Sequence, residues 1–170
     1  TFLHRLLAAD SGRFTTTTLW ELLFAPSITQ RAVVGLVARI DRLVGRPLTR
    51  LLDGIQGRVL GALDDIHATK LQDPEEDYLA LTGIGACFLL TLPFPFDEVW
   101  QLAWFDDAVP QQERERVMTY YRGIVQRHVY WHGPEKTYLS KNPSFSPMVR
   151  SLASAFPDGA FVDCCRLSAQ

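Results

Sequence analysis

The sequence predicts an α/β domain, one unit over residues 1–170, with many helices and a few parallel strands. Three observations lead there. Lys136–Ser140 and Phe161–Cys165 are short strand-prone runs on either side of the helix-prone Pro147–Ala155, and strand, helix, strand makes a parallel pair. Between Ser27 and Trp131, apolar residues recur at i, i+3, i+4 and i+7, the period of helices with one buried face. The composition, 47% hydrophobic and 21% charged in 170 residues, is enough to fill a core and far from that of a disordered chain. No repeat, low-complexity tract or linker divides it.

The elements follow in order. Phe2, Leu3, Leu6 and Leu7 share one face of a helix that Asp10-Ser11-Gly12 ends, and Phe14–Thr18 is β-branched enough for a short strand. Ser27 or Thr29 caps a helix whose Val33, Leu36, Val37, Ile40, Leu43 and Val44 form a stripe, broken by Gly45-Arg46-Pro47. Leu48, Leu51, Leu52, Ile55 and Val59 continue it on a second helix, so residues 28–60 read as a helical hairpin. Asp73-Pro74-Glu75-Glu76 is a helix start, with acids on the positive end of the dipole, and one buried helix is expected from there to Leu92. A shorter segment follows over Asp97–Phe105. Pro110 opens a long helix to about Trp131 with Val117, Tyr121, Ile124 and Val125 inward.

Charge and cysteine usage exclude several classes. Seventeen Lys plus Arg against nineteen Asp plus Glu leave −2, which is not the basic excess of a general nucleic-acid binder. Three cysteines make no disulfide scaffold and fit a reducing, cytoplasmic compartment. The longest uncharged run, Tyr78–Phe96, is cut by Pro93 and Pro95. Its helix reaches about 15 residues, roughly 22 Å against the roughly 30 Å hydrocarbon core. Acids flank it where Lys or Arg would anchor a span. No membrane span is expected.

The chemistry narrows to a few places. His128 and His132, four apart, put two imidazoles on one helix face, yet Val129 stands where a zinc protease has its acid and no third ligand is evident. Asp64-Asp65-Ile66-His67 and Glu75-Glu76-Asp77 have the donors for a divalent ion, but their places in a loop and at a helix start explain them as solvated acids without one. No Gly-x-Ser-x-Gly elbow supports a serine nucleophile. Tyr138-Leu-Ser-Lys-Asn-Pro143 is more telling: a strand ending in Lys141, with Ser140 and Asn142 beside it, offers a cation and amides at the carboxyl edge of a sheet. Arg166, after the next strand, adds a second cation for a phosphate or sulfate.

Thr1-Phe-Leu-His-Arg-Leu-Leu-Ala-Ala9, Leu19-Trp-Glu21, Tyr138-Leu-Ser-Lys-Asn-Pro143 and Ala155-Phe-Pro-Asp-Gly-Ala-Phe-Val162 with Arg166 resemble the sulfotransferase family, nearest its bacterial-type and tyrosylprotein branch. The resemblance implies a P-loop-like three-layer fold with a parallel sheet and large helical insertions, whose central first strand and phosphosulfate loop would precede Thr1. It implies 3′-phosphoadenosine 5′-phosphosulfate as co-substrate, no metal, and a sugar, lipid, small alcohol or peptide tyrosine as hydroxyl acceptor. By the same resemblance Thr1 contacts the 5′-phosphate, Arg166 grips the 3′-phosphate, Lys141 meets the sulfuryl group and Glu21 is the acceptor's base. Leu167-Ser168 departs from the Asp-Pro expected after Arg166, and the segment is expected to hold only part of the donor cradle. Residues 28–60 and 75–131 would form the acceptor side, with Trp20, Phe24, Trp100 and Trp104 as walls. The competing readings are a non-catalytic helical interaction domain or inactive relative, and a nucleotide kinase, which needs Gly-Lys-Thr upstream.

Overall fold

The computed structural model describes residues 2–24, 27–59 and 76–163. Helix α1 (Phe2–Ala8) leads through a turn into β1 (Phe14–Thr15), followed by α2 (Leu19–Phe24), α3 (Ile28–Leu43) and α4 (Pro47–Val59). After 3₁₀ turns at Asp77–Ile84 and Phe88–Thr91 come α5 (Asp97–Trp100), a 3₁₀ turn at Gln101–Trp104 and α6 (Phe105–Ala108). The long α7 (Gln111–His132), β2 (Thr137–Tyr138), a 3₁₀ turn at Pro143–Met148 and α8 (Val149–Ala155) complete it.

Strands β1 and β2 pair in parallel, Phe14 opposite Thr137 and Thr15 opposite Tyr138. The Thr137 amide donates to the Arg13 carbonyl at 2.8 Å and the Leu139 amide to Thr15 at 2.7 Å. This overturns the expected α/β, P-loop-like three-layer fold: the described residues are mostly helical, and their sheet is two strands of two residues each. The reasons are local. Beyond Thr15 the hydroxyl-rich run turns its polar groups to side chains instead of a ladder: Thr16 to His4, and Thr18 to Glu21. Beyond Tyr138, Ser140 bonds Asp77, and Asn142-Pro143 opens a 3₁₀ turn. Phe161–Asp163, expected to begin the second parallel strand, carry no strand and lie exposed, so no buried face holds a ladder there. Cys164 and Cys165 lie outside the described residues.

The core gathers around α7. Val117, Tyr121, Ile124 and Val125 are all buried, as their spacing predicts, against Leu81, Phe105, Phe145, Met148 and Leu152. Tyr121 stacks edge-on to both Phe145 and Phe156. The expected single helix to Leu92 is instead two 3₁₀ turns over its described part, because Gly85 at φ 72° takes the left-handed conformation that ends a helix. Asp106 of α6 reaches across to α8, accepting from the Arg150 and Ser151 amides at 2.8 and 3.2 Å, and so supplies the cap α8 lacks in its own sequence. The hairpin of α3 and α4 forms where predicted, with its turn at Gly45 (φ 89°) and Arg46 (φ 62°). Among the described residues no helix is long and apolar enough to cross a membrane.

Candidate functional site

The parallel register sends Thr16–Thr18 and Leu139–Lys141 out of one edge of the β1–β2 pair. At that edge α2 begins. Its Glu21 accepts from the Thr18 amide at 3.0 Å and the Thr18 hydroxyl at 2.8 Å through Oε2, which fixes the carboxylate at the start of the helix. The other oxygen, Oε1, faces three groups from distant elements. Arg31 of α3 donates to it from Nη1, His132 of α7 lies with Nε2 at 2.6 Å, and His128 Nδ1 stands at 3.9 Å. Glu21 and Arg31 are each only 2% exposed; His132, at 35%, connects the cluster to solvent.

The protons follow from the distances. His128 Nδ1 lies 3.3 Å from Arg31 Nη1 and so accepts, which leaves Nε2–H to donate to Thr15 Oγ1 at 2.8 Å. That is the neutral ring, and it agrees with a pKa pushed down to about 3, chiefly by burial and further by the neighbouring His132 and Arg31, against the pull of Glu21. For Glu21 burial works against the charge. The hydrogen bonds from His132 and Thr18 and the guanidinium of Arg31 outweigh it and hold the carboxyl at about 2. With His132 Nε2–H donating to Glu21, its Nδ1 is left as an acceptor with no partner among the described residues.

The two histidines thus gain the third donor that spacing alone did not supply. Ligand atoms of Glu21, His128 and His132 lie within 4.8 Å of one another, a set that zinc accepts. Arg31 Nη1 stands among them, within hydrogen-bond reach of all three, so the cation that the cluster holds is a guanidinium.

A second cluster lies along the same edge. Asp77, 1% exposed, accepts from the hydroxyls of Tyr121, Tyr138 and Ser140, the last two at 3.1 Å. Burial pushes its carboxyl up in spite of these donors. Next to it Glu76 pairs with Lys141, both about four-fifths buried. Asn142 accepts from the Ser144 amide through Oδ1, while its buried Nδ2 has no partner among the described residues. His4 of α1 bonds Thr16 at 3.1 Å, and its pKa is lowered by burial and by nearby positive charge, Lys141 included. A cavity of about 300 Å³ opens beside Glu21 and Arg31, walled by Leu79, Tyr120 and Ile124.

Of the expected site residues, Glu21 and Lys141 come to the same strand edge, while Thr1 and Arg166 lie outside the described residues. Of the expected aromatic walls, Trp100 and Trp104 are exposed and Trp20 is half-buried, while the side chain of Phe24 lies outside what the structure describes. Arg31, His4 and Thr15 were not singled out by the sequence as site residues, and Asp77 was read only as a helix-start acid. Asp77 had one signal, as the acid heading the longest uncharged run; Arg31 had none beyond its place in a helix. Neither a scan of protein-family models nor searches of curated proteins and of solved structures return a match.

Proposed function

We propose that this protein transfers a sulfuryl group from 3′-phosphoadenosine 5′-phosphosulfate to a hydroxyl acceptor, at the shared edge of β1 and β2. One observation carries the reading: a largely buried cation, Lys141, and an imidazole oriented by a carboxylate, His132 on Glu21, stand at the same end of one parallel strand pair. The Asn142 Nδ2, without a partner among the described residues and next in sequence to Lys141, fits an anionic oxygen, which needs a donor.

In-line displacement breaks the donor's S–O bond and forms one to the acceptor oxygen, and the acceptor's proton must leave. Positioning and charge stabilisation dominate such transfers. A carboxylate at about 2 is a weak base, so the proton goes to His132 Nδ1, with Glu21 holding the ring in the needed tautomer and countering the imidazolium charge. Lys141 and Asn142 meet the sulfuryl oxygens. Glu76 competes with that anion for Lys141.

The test titrates intact 3′-phosphoadenosine 5′-phosphosulfate, which carries the sulfuryl group, into the protein by calorimetry without acceptor, and follows sulfate transfer to a panel of hydroxyl acceptors. Lys141→Ala weakens nucleotide binding; Glu76→Gln, which frees the lysine, strengthens it. His132→Gln leaves binding unchanged and lowers turnover by roughly 10²–10⁴-fold, and Glu21→Gln, which keeps an oxygen facing the ring, lowers it less. Equal nucleotide affinity in wild type, Lys141→Ala and Glu76→Gln would remove the donor site from this edge.

A further inference from the structure

The α3–α4 hairpin breaks the usual pattern of an amphipathic helix, because its apolar stripe faces out. Val33, Leu36 and Ile40 on α3 and Leu51 on α4 are more than half exposed, and Leu52 and Ile55 nearly so. What α3 turns inward is polar: Arg31 into the Glu21 cluster, and Asp41, which accepts from the Leu48 and Thr49 amides and caps α4. The hairpin is also the basic part of an acidic chain. Residues 27–59 hold six arginines and two aspartates, a net +4, whereas the rest of the chain sums to −6. Arg39, Arg42, Arg46 and Arg50 are exposed, and none is salt-bridged to a carboxylate among the described residues. On a wheel of 3.6 residues per turn, Arg39 borders the α3 stripe, and Arg46 sits in the turn between the two stripes.

We propose that this hairpin docks on an anionic membrane surface, lying in the plane of the interface with its aliphatic stripes among the acyl chains and its arginines at the headgroups. An apolar stripe on successive helices, bordered by arginine, is the pattern of an interfacial helix. Its charge complements phosphatidylserine-type lipids. Two features favour this surface over the alternatives. The stripe is wholly aliphatic, without the Trp, Tyr, Phe or Met that enrich the centres of protein–protein contacts. A second copy meeting the first through this same face would set the exposed Arg39, Arg42, Arg46 and Arg50 against their own copies. The proposal is independent of the sulfuryl-transfer reading, since it needs neither nucleotide nor turnover.

The experiment floats the protein with vesicles of phosphatidylcholine alone and of phosphatidylcholine with phosphatidylserine. Binding is expected to the second only and to fall as salt is raised, because exposed charges are screened. Each arginine at the surface is worth roughly a fivefold change in partitioning, so Arg39→Gln with Arg46→Gln weakens binding about 25-fold. Leu36→Ser with Leu51→Ser abolishes it, and circular dichroism of the same variants is unchanged, because both side chains are already exposed. Equal binding to neutral and anionic vesicles overturns the charge argument. Absence of binding to either, together with dimerisation in sedimentation that the Leu→Ser variant loses, assigns the face to a second copy and overturns the proposal. Absence of both overturns it outright.

Discussion

Helices α7 and α3 carry the same sequence pattern and meet opposite fates. Both repeat aliphatic residues at helical spacing, yet α7 buries Val117, Ile124 and Val125 while α3 exposes Val33, Leu36 and Ile40. The difference lies in what each has to pack against. Helix α7 is surrounded by the 3₁₀ turn at Asp77–Ile84, by β2 and by α8, with Phe145 and Phe156 filling around Tyr121. Helix α3 touches α7 mainly through its polar inner side, where Arg31 meets the histidines. A hydrophobic period tells which face of a helix is apolar, not what covers it.

Stability measurements test that contrast directly. The largest effect is expected from Ile124→Ala, which empties a buried site and costs about 2–5 kcal/mol, whereas Ile40→Ala on the exposed stripe stays within about 0.5 kcal/mol. Urea denaturation of both variants decides it, and equal losses would mean that the α3 stripe is buried after all. The next effect separates the two helices by acid. His128 on α7 has its folded pKa depressed to about 3, from 6.5. Its contribution is therefore complete above about pH 6.5 and is lost progressively as pH falls toward 3. Between pH 7 and pH 5 the protein should lose about 2 kcal/mol, before Glu21, depressed from 4.5 to about 2, begins to contribute its own loss. Most of that slope disappears in His128→Gln. If the variant keeps the slope, the neutral buried ring is not its source. The smallest effect belongs to the start of α3. Ser27 and Gln30 form a reciprocal cap there, each side chain bonded to the other's amide at 3.1 Å. Ser27→Ala should cost about 1 kcal/mol, seen as a small drop in the urea midpoint at unchanged slope.

Much of the helical layout was legible because it depends on neighbours in sequence. The stripe of α7, the break at Gly45-Arg46-Pro47 and the strand tendency of Phe14–Thr15 and Thr137–Tyr138 are all local. The sheet was not, because the length of a strand depends on partners: Thr16 and Thr18 bond side chains, and Phe161 and Val162 stay exposed. The uncharged run after Tyr78 read as one helix by composition, whereas Gly85 at positive φ divides it. The site was half visible. A spacing of four put His128 and His132 together, but their carboxylate lies 111 residues from His132, and Arg31 lies 97 residues from His128. No window along the chain contains both sides of that contact. Asp77 was read as one of three solvated acids, although the hydroxyls that hold it come from Tyr121, Tyr138 and Ser140, at least 44 residues away.

The bond from Thr15 to His128 spans 113 residues, and this has a consequence for synthesis. A ribosome adding about 5–20 residues per second delivers Thr15, Glu21 and Arg31 roughly 5–20 s before His128. During that interval the nascent chain carries a carboxylate and a guanidinium that are local enough to find each other, 10 residues apart, but have no imidazoles to enclose them. The exposed aliphatic stripes between Val33 and Ile55 emerge in the same interval. A holdase that binds there would protect the segment most prone to stick while α7, which closes the cluster, is still being made.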